Sequence, residues 1–333
     1  MSQSAGPFGL ELADRALESA LVEGMATVEE ALRDAVKSDY PFVTETSRHL
    51  VDAGGKRFRP LLTLLASQFG DSASPGVIPA AVVVELTHLA TLYHDDVMDE
   101  APLRRGTPSA NARWDNTVAI LTGDFLFARA SDLLADLGPE AVRIQARTFE
   151  RLVIGQIRET VGPAEGQDPV EHHLQVLADK TGSLIATSGR FGALLAGAST
   201  DVVDVMTRFG ERIGVAFQLS DDLLDIGSAS VVSGKTPGTD LREGVATLPA
   251  LLVLARNDSA DERLRSLLVR PLPDDADHAE ALEKLRAHEA MKFAHSELER
   301  WISEARAALD SLPDVAARDA LVSLCDVVLT RTA

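Results

Sequence analysis

Two short acidic patterns have the composition and spacing of a magnesium site. The first comprises Asp95, Asp96 and Asp99, and the second comprises Asp221, Asp222 and Asp225. On an α-helix, residues four apart lie on one face, so each pattern sets like charges side by side, and a cation between them relieves the repulsion. Mg²⁺ prefers carboxylate, water and phosphate oxygens. We therefore expect the two patterns to face each other and to hold Mg²⁺ ions around a diphosphate. The ions would neutralise the charge of the diphosphate as it leaves.

One such pattern alone is a weak signal, because a solvated helix end has the same composition. Each copy here ends an otherwise apolar segment, at 88–98 and at 215–224. Two copies with the same spacing, each at the end of an apolar helix, favour a metal site over a solvated surface.

Basic and polar residues that could meet an anion accompany both patterns. Gly54 and Gly55 let an anion approach the backbone closely, and the N-terminus of the helix that follows carries partial positive charge. Lys56 and Arg59 are therefore expected to bind a phosphate group. Further candidates are His88, Arg104, Arg105, Lys180, Thr181, Gln218 and Lys235. Taken singly, each is equally compatible with an ordinary surface contact or, for the histidine, with a place in the core.

The elements that position these residues are helices. Apolar residues recur with a 3.6-residue period, and the single weak strand candidate is Val231-Val232. The predicted helices cover 10–36, 59–69, 79–98, 110–137, 140–160, 169–198, 200–226, 248–256, 276–312 and 315–330. No break has the length and low complexity of an interdomain linker, so 1–333 is predicted to be a single all-α domain.

The composition argues against several classes of function. A net charge of −19 disfavours binding to nucleic acid or to an anionic membrane, which both attract basic surfaces. The apolar stretch 77–93 contains Glu85 and His88, and we expect a buried helix there, too short and too polar to span a membrane. The single cysteine, Cys325, excludes an internal disulfide and a cysteine-rich zinc site. Without a signal-peptide pattern at the N-terminus, these features predict a cytoplasmic protein.

Taken together, the motifs resemble those of the trans-isoprenyl diphosphate synthases (polyprenyl synthetases), in whose order they run over 54–249. The matching motifs are Gly54-Gly55-Lys56-Arg57-x-Arg59-Pro60, His88 before His94-Asp95-Asp96-x-x-Asp99, Arg104-Arg105-Gly106, Gly123-Asp124, Gly155-Gln156, Lys180-Thr181, Phe217-Gln218-x-x-Asp221-Asp222-x-x-Asp225, Lys235, and Asp240-Leu241-Arg242-Glu243-Gly244 with Thr247-Leu248-Pro249. One position departs from the pattern, because many members carry a second lysine after Gly244 where this chain has Val245.

The resemblance implies a fold, an activity and roles for the motif residues. The fold would be an antiparallel bundle of about ten or more helices around a deep central cavity, the isoprenoid synthase fold, in a homodimer. The activity would be that of a prenyltransferase that uses three Mg²⁺ ions to join an allylic diphosphate head to tail to isopentenyl diphosphate. By motif position, the six aspartates would bind the metal. Isopentenyl diphosphate would be bound by Lys56, Arg59, His88 and Arg105, and the allylic diphosphate by Arg104, Lys180, Thr181, Gln218 and Lys235.

Two small residues are expected to leave room for a long product. The growing tail should run along the helix from Asp95 toward its start, where Ala90 lies about 7.5 Å away at 1.5 Å per residue, next to Thr91. In the family, bulky aromatic residues at these positions limit the product to short chains. We therefore expect an all-trans polyprenyl diphosphate longer than C20, of the kind used for quinone side chains. A deeper floor would give geranylgeranyl or farnesyl diphosphate instead. Candidates for such a floor are Phe125, Phe127 and Phe149.

Other classes of protein share part of this pattern. A terpene cyclase has the first acidic motif, but its second motif usually mixes asparagine, serine or threonine with glutamate, and it needs no isopentenyl diphosphate site. His94-Asp95 also occurs in metal-dependent phosphohydrolases, but further histidines at suitable spacing are missing. A non-catalytic subunit of a two-component synthase typically loses the acidic motifs, whereas this chain keeps both.

Overall fold

The computed structural model describes residues 9–10, 12–227, 237–256 and 258–331, and these residues are helical almost throughout. The α-helices are α1 Arg15–Ala35, α2 Pro41–Asp52, α3 Phe58–Ser67, α4 Val77–Met98, α5 Ala110–Arg113, α6 Asn116–Leu137, α7 Pro139–Val161, α8 Pro169–Leu177, α9 Ser183–Leu195, α10 Thr200–Gly227, α11 Thr239–Glu243, α12 Leu248–Ala255, α13 Glu262–Leu268, α14 Asp275–Ala287, α15 Glu289–Leu309 and α16 Ala316–Thr330. The all-α class predicted from the sequence is confirmed. Val231-Val232, the weak strand candidate, lies outside the described residues.

Short irregular elements complete the described chain. A π-helical turn, Ala178–Gly182, joins α8 to α9, and a 3₁₀ turn, Ser259–Asp261, precedes α13. Within the described residues the strands are β1 Leu103–Arg104 and β2 Thr107–Pro108, which pair antiparallel. The sequence did not predict this small hairpin, because two-residue strands are too short to show an alternating pattern.

The predicted helices 110–137 and 276–312 need correction, and α2, α11 and α13 were not predicted. The predicted helix 110–137 is two helices, because Asp115 caps α6 by accepting a hydrogen bond from Val118 N at 2.8 Å. The predicted helix 276–312 is also two, because His288 adopts an extended backbone (ψ 146°) and its side chain caps α15. α2 begins at Pro41, whose fixed backbone φ angle suits the first position of a helix.

The described chain divides into two compact units. The first unit comprises the residues up to Phe149 with Leu184–Gly210 and Ser311–Ser323, and the second comprises Glu150–Ser183, Glu211–Asp310 and the residues from Leu324. The two acidic patterns lie in different units. A single domain over 1–333 stays a prediction.

In the first unit, α4 is the central helix, and it packs against α1, α3 and α6. It is apolar on almost every face, which is typical of a helix covered on all sides. By length and composition, α4 is also a candidate membrane span, and 67% of its most apolar stretch is buried inside the protein. The helix is longer than the apolar stretch 77–93, since it runs 22 residues to Met98, and its burial agrees with the expectation of a buried helix. A buried core helix meets the same two criteria.

In the second unit, α12 packs against α8 and α15. Ser220 on α10 donates a hydrogen bond to the carbonyl oxygen of Val328 on α16, at 3.1 Å. On the same helix, Cys325 has no exposed surface, and burial raises the pKa of its thiol to about 12. The prediction of Cys325 as a small core residue agrees with this position.

Candidate active site

The first acidic pattern lies at the end of α4, where one of its carboxylates is buried. Asp96 has no exposed surface, and its Oδ1 accepts a hydrogen bond from Arg104 Nε at 2.5 Å. Its Oδ2 is buried without a hydrogen-bond partner. Burial raises the pKa of Asp96, and the charge of Arg104 opposes that shift. Asp95 is half-buried and Asp99 is exposed, so within this pattern Asp96 carries the orphaned acceptor.

Basic side chains gather close to this pattern. Arg105 lies in the turn between β1 and β2 at φ 53°, and its guanidinium donates to the carbonyl oxygens of Leu50 (2.9 Å) and Gly54. Gly55 admits this approach, because a Cβ there would lie 2.9 Å from the Arg105 guanidinium carbon. Its φ of 139° also disfavours other residues.

Arg59 and His88 belong to the same cluster. Arg59 Nε is buried without a hydrogen-bond partner, and burial lowers the pKa of Arg59 to about 10. Burial, with the charges of Arg59 and Arg105, holds the pKa of His88 well below its usual value of 6.5. The imidazole is therefore neutral at physiological pH and can offer one N–H donor. Lys56 is exposed. The structure thus brings together Arg59, His88 and Arg105 of the predicted isopentenyl diphosphate ligands.

Arg57, between Lys56 and Arg59, has a different role. Its side chain is 3% exposed and forms ion pairs with Glu29 (2.5 Å) and with Glu85 (2.9 Å). Burial alone would lower the pKa of Arg57, but these two carboxylates outweigh it and raise that pKa. Arg57 also adopts a left-handed conformation, φ 51°, directly before α3. It is a structural cation, and it turns the chain so that Arg59 enters the first turn of the helix.

The second acidic pattern lies near the end of α10 and differs in its partners. Asp222 is 6% exposed, and its Oδ1 accepts a hydrogen bond from Gln218 Nε2 at 3.2 Å. Its Oδ2 is buried without a hydrogen-bond partner, although His173 Nε2 lies 3.4 Å away. Each acidic pattern therefore contains one buried carboxylate with one bonded and one orphaned oxygen.

The other two carboxylates of the second pattern already have partners. Asp221 Oδ1 accepts a hydrogen bond from Arg331 Nη2 at 2.5 Å, and the Arg331 guanidinium lies 4.7 Å from the centre of the Phe217 ring. The carboxylate of Asp225 accepts from the backbone N–H groups of Thr239 (3.1 Å) and Asp240 (3.2 Å). Asp225 therefore anchors the start of α11 in this structure.

The predicted allylic diphosphate ligands of the second unit lie on two neighbouring elements. Lys180 and Thr181 are in the π-helical turn, and Gln218 is on α10. Thr181 Oγ1 donates to Gln218 Oε1 at 3.4 Å, so these two residues meet. Lys180 Nζ forms a 2.5 Å ion pair with Glu159. Lys235 lies outside the described residues, and Val245 is 43% exposed.

The residues expected to set product length lie on α4. Ala90 has no exposed surface, and Thr91 Oγ1 donates to the carbonyl oxygen of His88, so its hydroxyl is satisfied within the helix. The Phe127 ring lies 4.5 Å from the Phe149 ring and 5.7 Å from that of His94, centre to centre. Phe125 lines a pocket of the unit together with Arg48 and Arg129, and neither Phe127 nor Phe149 lines that pocket.

The donor set of both patterns fits Mg²⁺. Each presents oxygen ligands, one of which is buried with no donor, and such an oxygen costs about 1–3 kcal/mol that a bound cation would recover. Among the described residues, no group of three or more histidine, cysteine or acidic side chains forms a complete metal site by itself. Mg²⁺ usually takes one or two carboxylates and completes its shell with water and substrate phosphate oxygens.

Sequence reasoning missed His173 and Arg331. Arg331 is 110 residues from Asp221 along the chain, and neither residue belongs to a recognisable motif. No local signal could have found them, since both contacts arise from the packing of distant helices.

Comparison with known proteins identifies the family. The family model described as polyprenyl synthetase matches residues 40–285. A nonaprenyl diphosphate synthase of Mycobacterium tuberculosis is 48% identical over 324 residues, covering 97% of each chain.

Solved structures agree with this. A geranylgeranyl pyrophosphate synthase of Corynebacterium glutamicum, solved with calcium and isoprenyl diphosphate, superposes with a TM-score of 0.87 at 47% identity, covering 97% of this chain and 99% of that one. A decaprenyl diphosphate synthase of Rhodobacter capsulatus superposes with a TM-score of 0.86 at 34% identity, covering 96% and 99%. The isoprenoid synthase fold expected from the motifs is thereby confirmed. The chain is therefore a prenyltransferase that belongs to the polyprenyl synthetase family.

Proposed function

We propose that this enzyme condenses an allylic diphosphate with isopentenyl diphosphate, head to tail, and repeats the reaction to make a long-chain all-trans polyprenyl diphosphate. The observation that carries the proposal is the pair of buried, orphaned carboxylate oxygens on Asp96 and Asp222. They lie in two acidic patterns of equal spacing, each accompanied by side chains that we propose to bind phosphate. The relatives named as nonaprenyl and decaprenyl diphosphate synthases support it.

The basic cluster of the first unit would bind isopentenyl diphosphate. The unpaired Nε of Arg59 and the neutral imidazole of His88 would donate to phosphate oxygens, and Lys56 and Arg105 would add charge. Glu85, 2% exposed between Arg57 and Arg105, offsets the repulsion among these cations before the substrate arrives. This arrangement lets a site rich in arginine exist in the folded protein without a bound anion.

The allylic diphosphate would be held by other residues. Arg104, Lys180, Thr181, Gln218 and Lys235 are proposed as its ligands. Three Mg²⁺ ions, bound by Asp95, Asp96, Asp99, Asp221, Asp222 and Asp225 partly through water, would neutralise the diphosphate as it leaves. The calcium and isoprenyl diphosphate bound to the Corynebacterium glutamicum relative support a divalent cation.

The reaction breaks one bond and forms another. The C–O bond of the allylic substrate breaks, and its electron pair leaves with the diphosphate. The double bond of isopentenyl diphosphate attacks the allylic cation, which forms a C–C bond, and a proton is then lost to the released diphosphate. Oxygen dipoles of Thr181 and Gln218 would stabilise the cation. Arg104, paired with Asp96 through its Nε, would offer its remaining N–H groups to the diphosphate.

A long product is proposed because Ala90 and Thr91 present little bulk. The alternative product is geranylgeranyl diphosphate, because the Corynebacterium glutamicum relative is named a geranylgeranyl pyrophosphate synthase. The Phe127–Phe149 pair beside His94 favours this alternative, since it could close the tail channel.

We also propose a cytoplasmic homodimer. The supporting observations are exposed apolar residues on α6, where Ile120 is 43% and Leu121 61% exposed. A contiguous patch of exposed apolar side chains marks an interaction surface. A lone, buried Cys325 suits a reducing compartment.

Product analysis tests the proposal. The purified protein would be incubated with Mg²⁺, isopentenyl diphosphate and farnesyl diphosphate, with and without EDTA, and product length measured by mass. We expect an EDTA-sensitive ladder of products beyond C20. Products that stop at C20 would keep the reaction and overturn the proposed length. No turnover with any allylic primer would contradict the activity and favour a non-catalytic subunit that needs a partner chain.

A further inference from the structure

The π-helical turn Ala178–Gly182 interrupts a segment whose sequence predicts a continuous helix, 169–198. A π-helical turn inserts one extra residue into the helical ladder, and such turns occur frequently at functional sites. The extra residue rotates the side chains beyond it by about 100° around the helix axis, since an α-helix has 3.6 residues per turn. Lys180 and Thr181, both proposed substrate ligands, lie inside this turn. Whatever holds the turn therefore sets where they point.

One face of α7 lies against the turn. Arg151, Gly155 and Arg158 are spaced at i, i+4 and i+7, so they share that face. Gly155 allows the close approach, because a Cβ there would lie 2.8 Å from Lys180 N and 3.0 Å from Asp179 Cβ. This close approach accounts for the glycine of the motif Gly155-Gln156.

Asp179 connects this face to the turn. It is 5% exposed, and its Oδ1 accepts a hydrogen bond from Arg151 Nε at 3.0 Å. Its Oδ2 accepts from Arg158 Nη1 at 2.5 Å and from Gln175 Nε2 at 3.0 Å. Arg151 Nη2 also forms an ion pair with Glu211 Oε1 on α10, at 2.7 Å. One buried carboxylate thus ties the turn to α7 and, through Arg151, to the helix that carries the second acidic pattern.

We propose that Asp179 is a positioning residue for the allylic diphosphate, which fixes the π-helical turn against α7 and so sets the positions of Thr181 and of Lys180, whose Nζ pairs with Glu159 in this structure. It touches no substrate itself. Its effect passes along the contacts that follow the turn, from Thr181 to Gln218 and from Gln218 to Asp222. The inference rests on the proposed function, because it assigns the turn to the allylic substrate.

The test compares two aspartates that each hold two arginines. Asp179→Asn removes the charge at the turn. Asp277→Asn is the matched control, because Asp277 on α14 pairs with Arg263 and Arg270 away from the turn. Kinetics would be measured separately for farnesyl diphosphate and isopentenyl diphosphate, and amide hydrogen exchange would be followed in peptides covering 178–182. The full-length protein is used throughout.

We expect Asp179→Asn to lower kcat/KM for farnesyl diphosphate by about 10- to 100-fold, the cost of a displacement near 1 Å. The KM for isopentenyl diphosphate should stay at its wild-type value, and exchange should rise in 178–182. Asp277→Asn should change none of these. Gly155→Ala should repeat the Asp179→Asn result, since its methyl group would push on Lys180.

Two results would overturn the inference. One is unchanged kinetics for farnesyl diphosphate with unchanged exchange in 178–182. The other is an equal loss for both substrates, which would make Asp179 a purely structural residue. If the wild type shows no turnover at all, the proposed function fails, and hydrogen exchange still decides whether Asp179 holds the turn.

Discussion

In the first unit the buried aspartate of the acidic pattern, Asp96, bonds to a guanidinium, whereas in the second unit its counterpart Asp222 bonds to an amide. Near the first pattern, Arg59 and Arg105 supply permanent charges. Near the second, the neighbours of Asp222 are Gln218 and His173, and the guanidinium of Arg331 pairs with Asp221. Both carboxylates keep one orphaned oxygen all the same. The repeated spacing thus reproduces the orphaned oxygen, while the side chains of neighbouring elements decide the charge around it.

The largest expected effect comes from removing the orphaned carboxylate oxygen that the two acidic patterns share. Asp96→Asn and Asp222→Asn should each lower kcat/KM by about 10²- to 10³-fold, the size seen when one preorganised electrostatic group is lost. Each should also weaken Mn²⁺ binding measured by electron paramagnetic resonance, because one oxygen ligand is gone. Asp132→Asn on α6, whose carboxylate is 71% exposed, is the control and should change neither. Wild-type Mn²⁺ affinity in either variant would show that its orphaned oxygen does not meet the metal.

Substitutions of two arginines of the first unit, Arg57 and Arg59, should affect different quantities, one the stability and the other the binding of substrate. Arg59→Met should raise the KM for isopentenyl diphosphate about 10- to 100-fold, since a hydrogen bond to a charged group contributes about 1.5–3 kcal/mol. Arg57→Met should lower the free energy of unfolding by about 3 kcal/mol instead, because Glu85 loses its closest ion-pair partner inside the protein.

Urea denaturation and steady-state kinetics on both arginine variants check this. If Arg57→Met raised KM without a loss of stability, the assignment of Arg57 as a structural cation would be wrong.

The apolar part of the first unit allows a change in product length. Phe127→Ala removes one ring of the pair beside His94, and we expect a longer product, by one or more five-carbon units in the mass spectrum. Phe125→Ala is the matched control, because Phe125 lines a pocket to which neither Phe127 nor Phe149 contributes. Equal product lengths for the two variants would place the floor of the tail channel elsewhere.

The smallest expected effect concerns pH. Burial and arginine charges keep the pKa of His88 below its unfolded value of 6.5, so between pH 7 and 5 the unfolded chain takes up a proton that the folded protein does not. Stability therefore falls as the pH falls, by up to about 2 kcal/mol for this residue. His88→Gln should show a smaller fall over the same range in thermal melts. An identical fall in both proteins would contradict the depressed pKa.

Much of the fold and part of the site could be predicted from the sequence. The 3.6-residue period located α4 and α10, and the repeated spacing put an acidic pattern at the end of each. Charge and glycine content pointed to the segment before α3 as an anion site. These features are local, so a short stretch of residues is enough to show them.

What could not be predicted depends on distant contacts. Lys56, Arg57 and Arg59 look alike in sequence, and only the packing of Glu29 and Glu85 against Arg57 makes that residue structural. The π-helical turn within 169–198 could not be predicted, because the chain is helical on both sides of it and the arginines that hold it come from α7. The cap at Asp115 was a local signal and could have been found.

The burial of Cys325 makes the reactivity of its thiol a measure of how often α16 opens. With its thiol covered and its pKa raised to about 12, a disulfide reagent can react only when α16 separates from its neighbours. The rate of that reaction at neutral pH therefore measures the local opening of α16. Because the chain has no other cysteine, one placed at an exposed position such as Val269, 70% exposed, would take a fluorescent label alone.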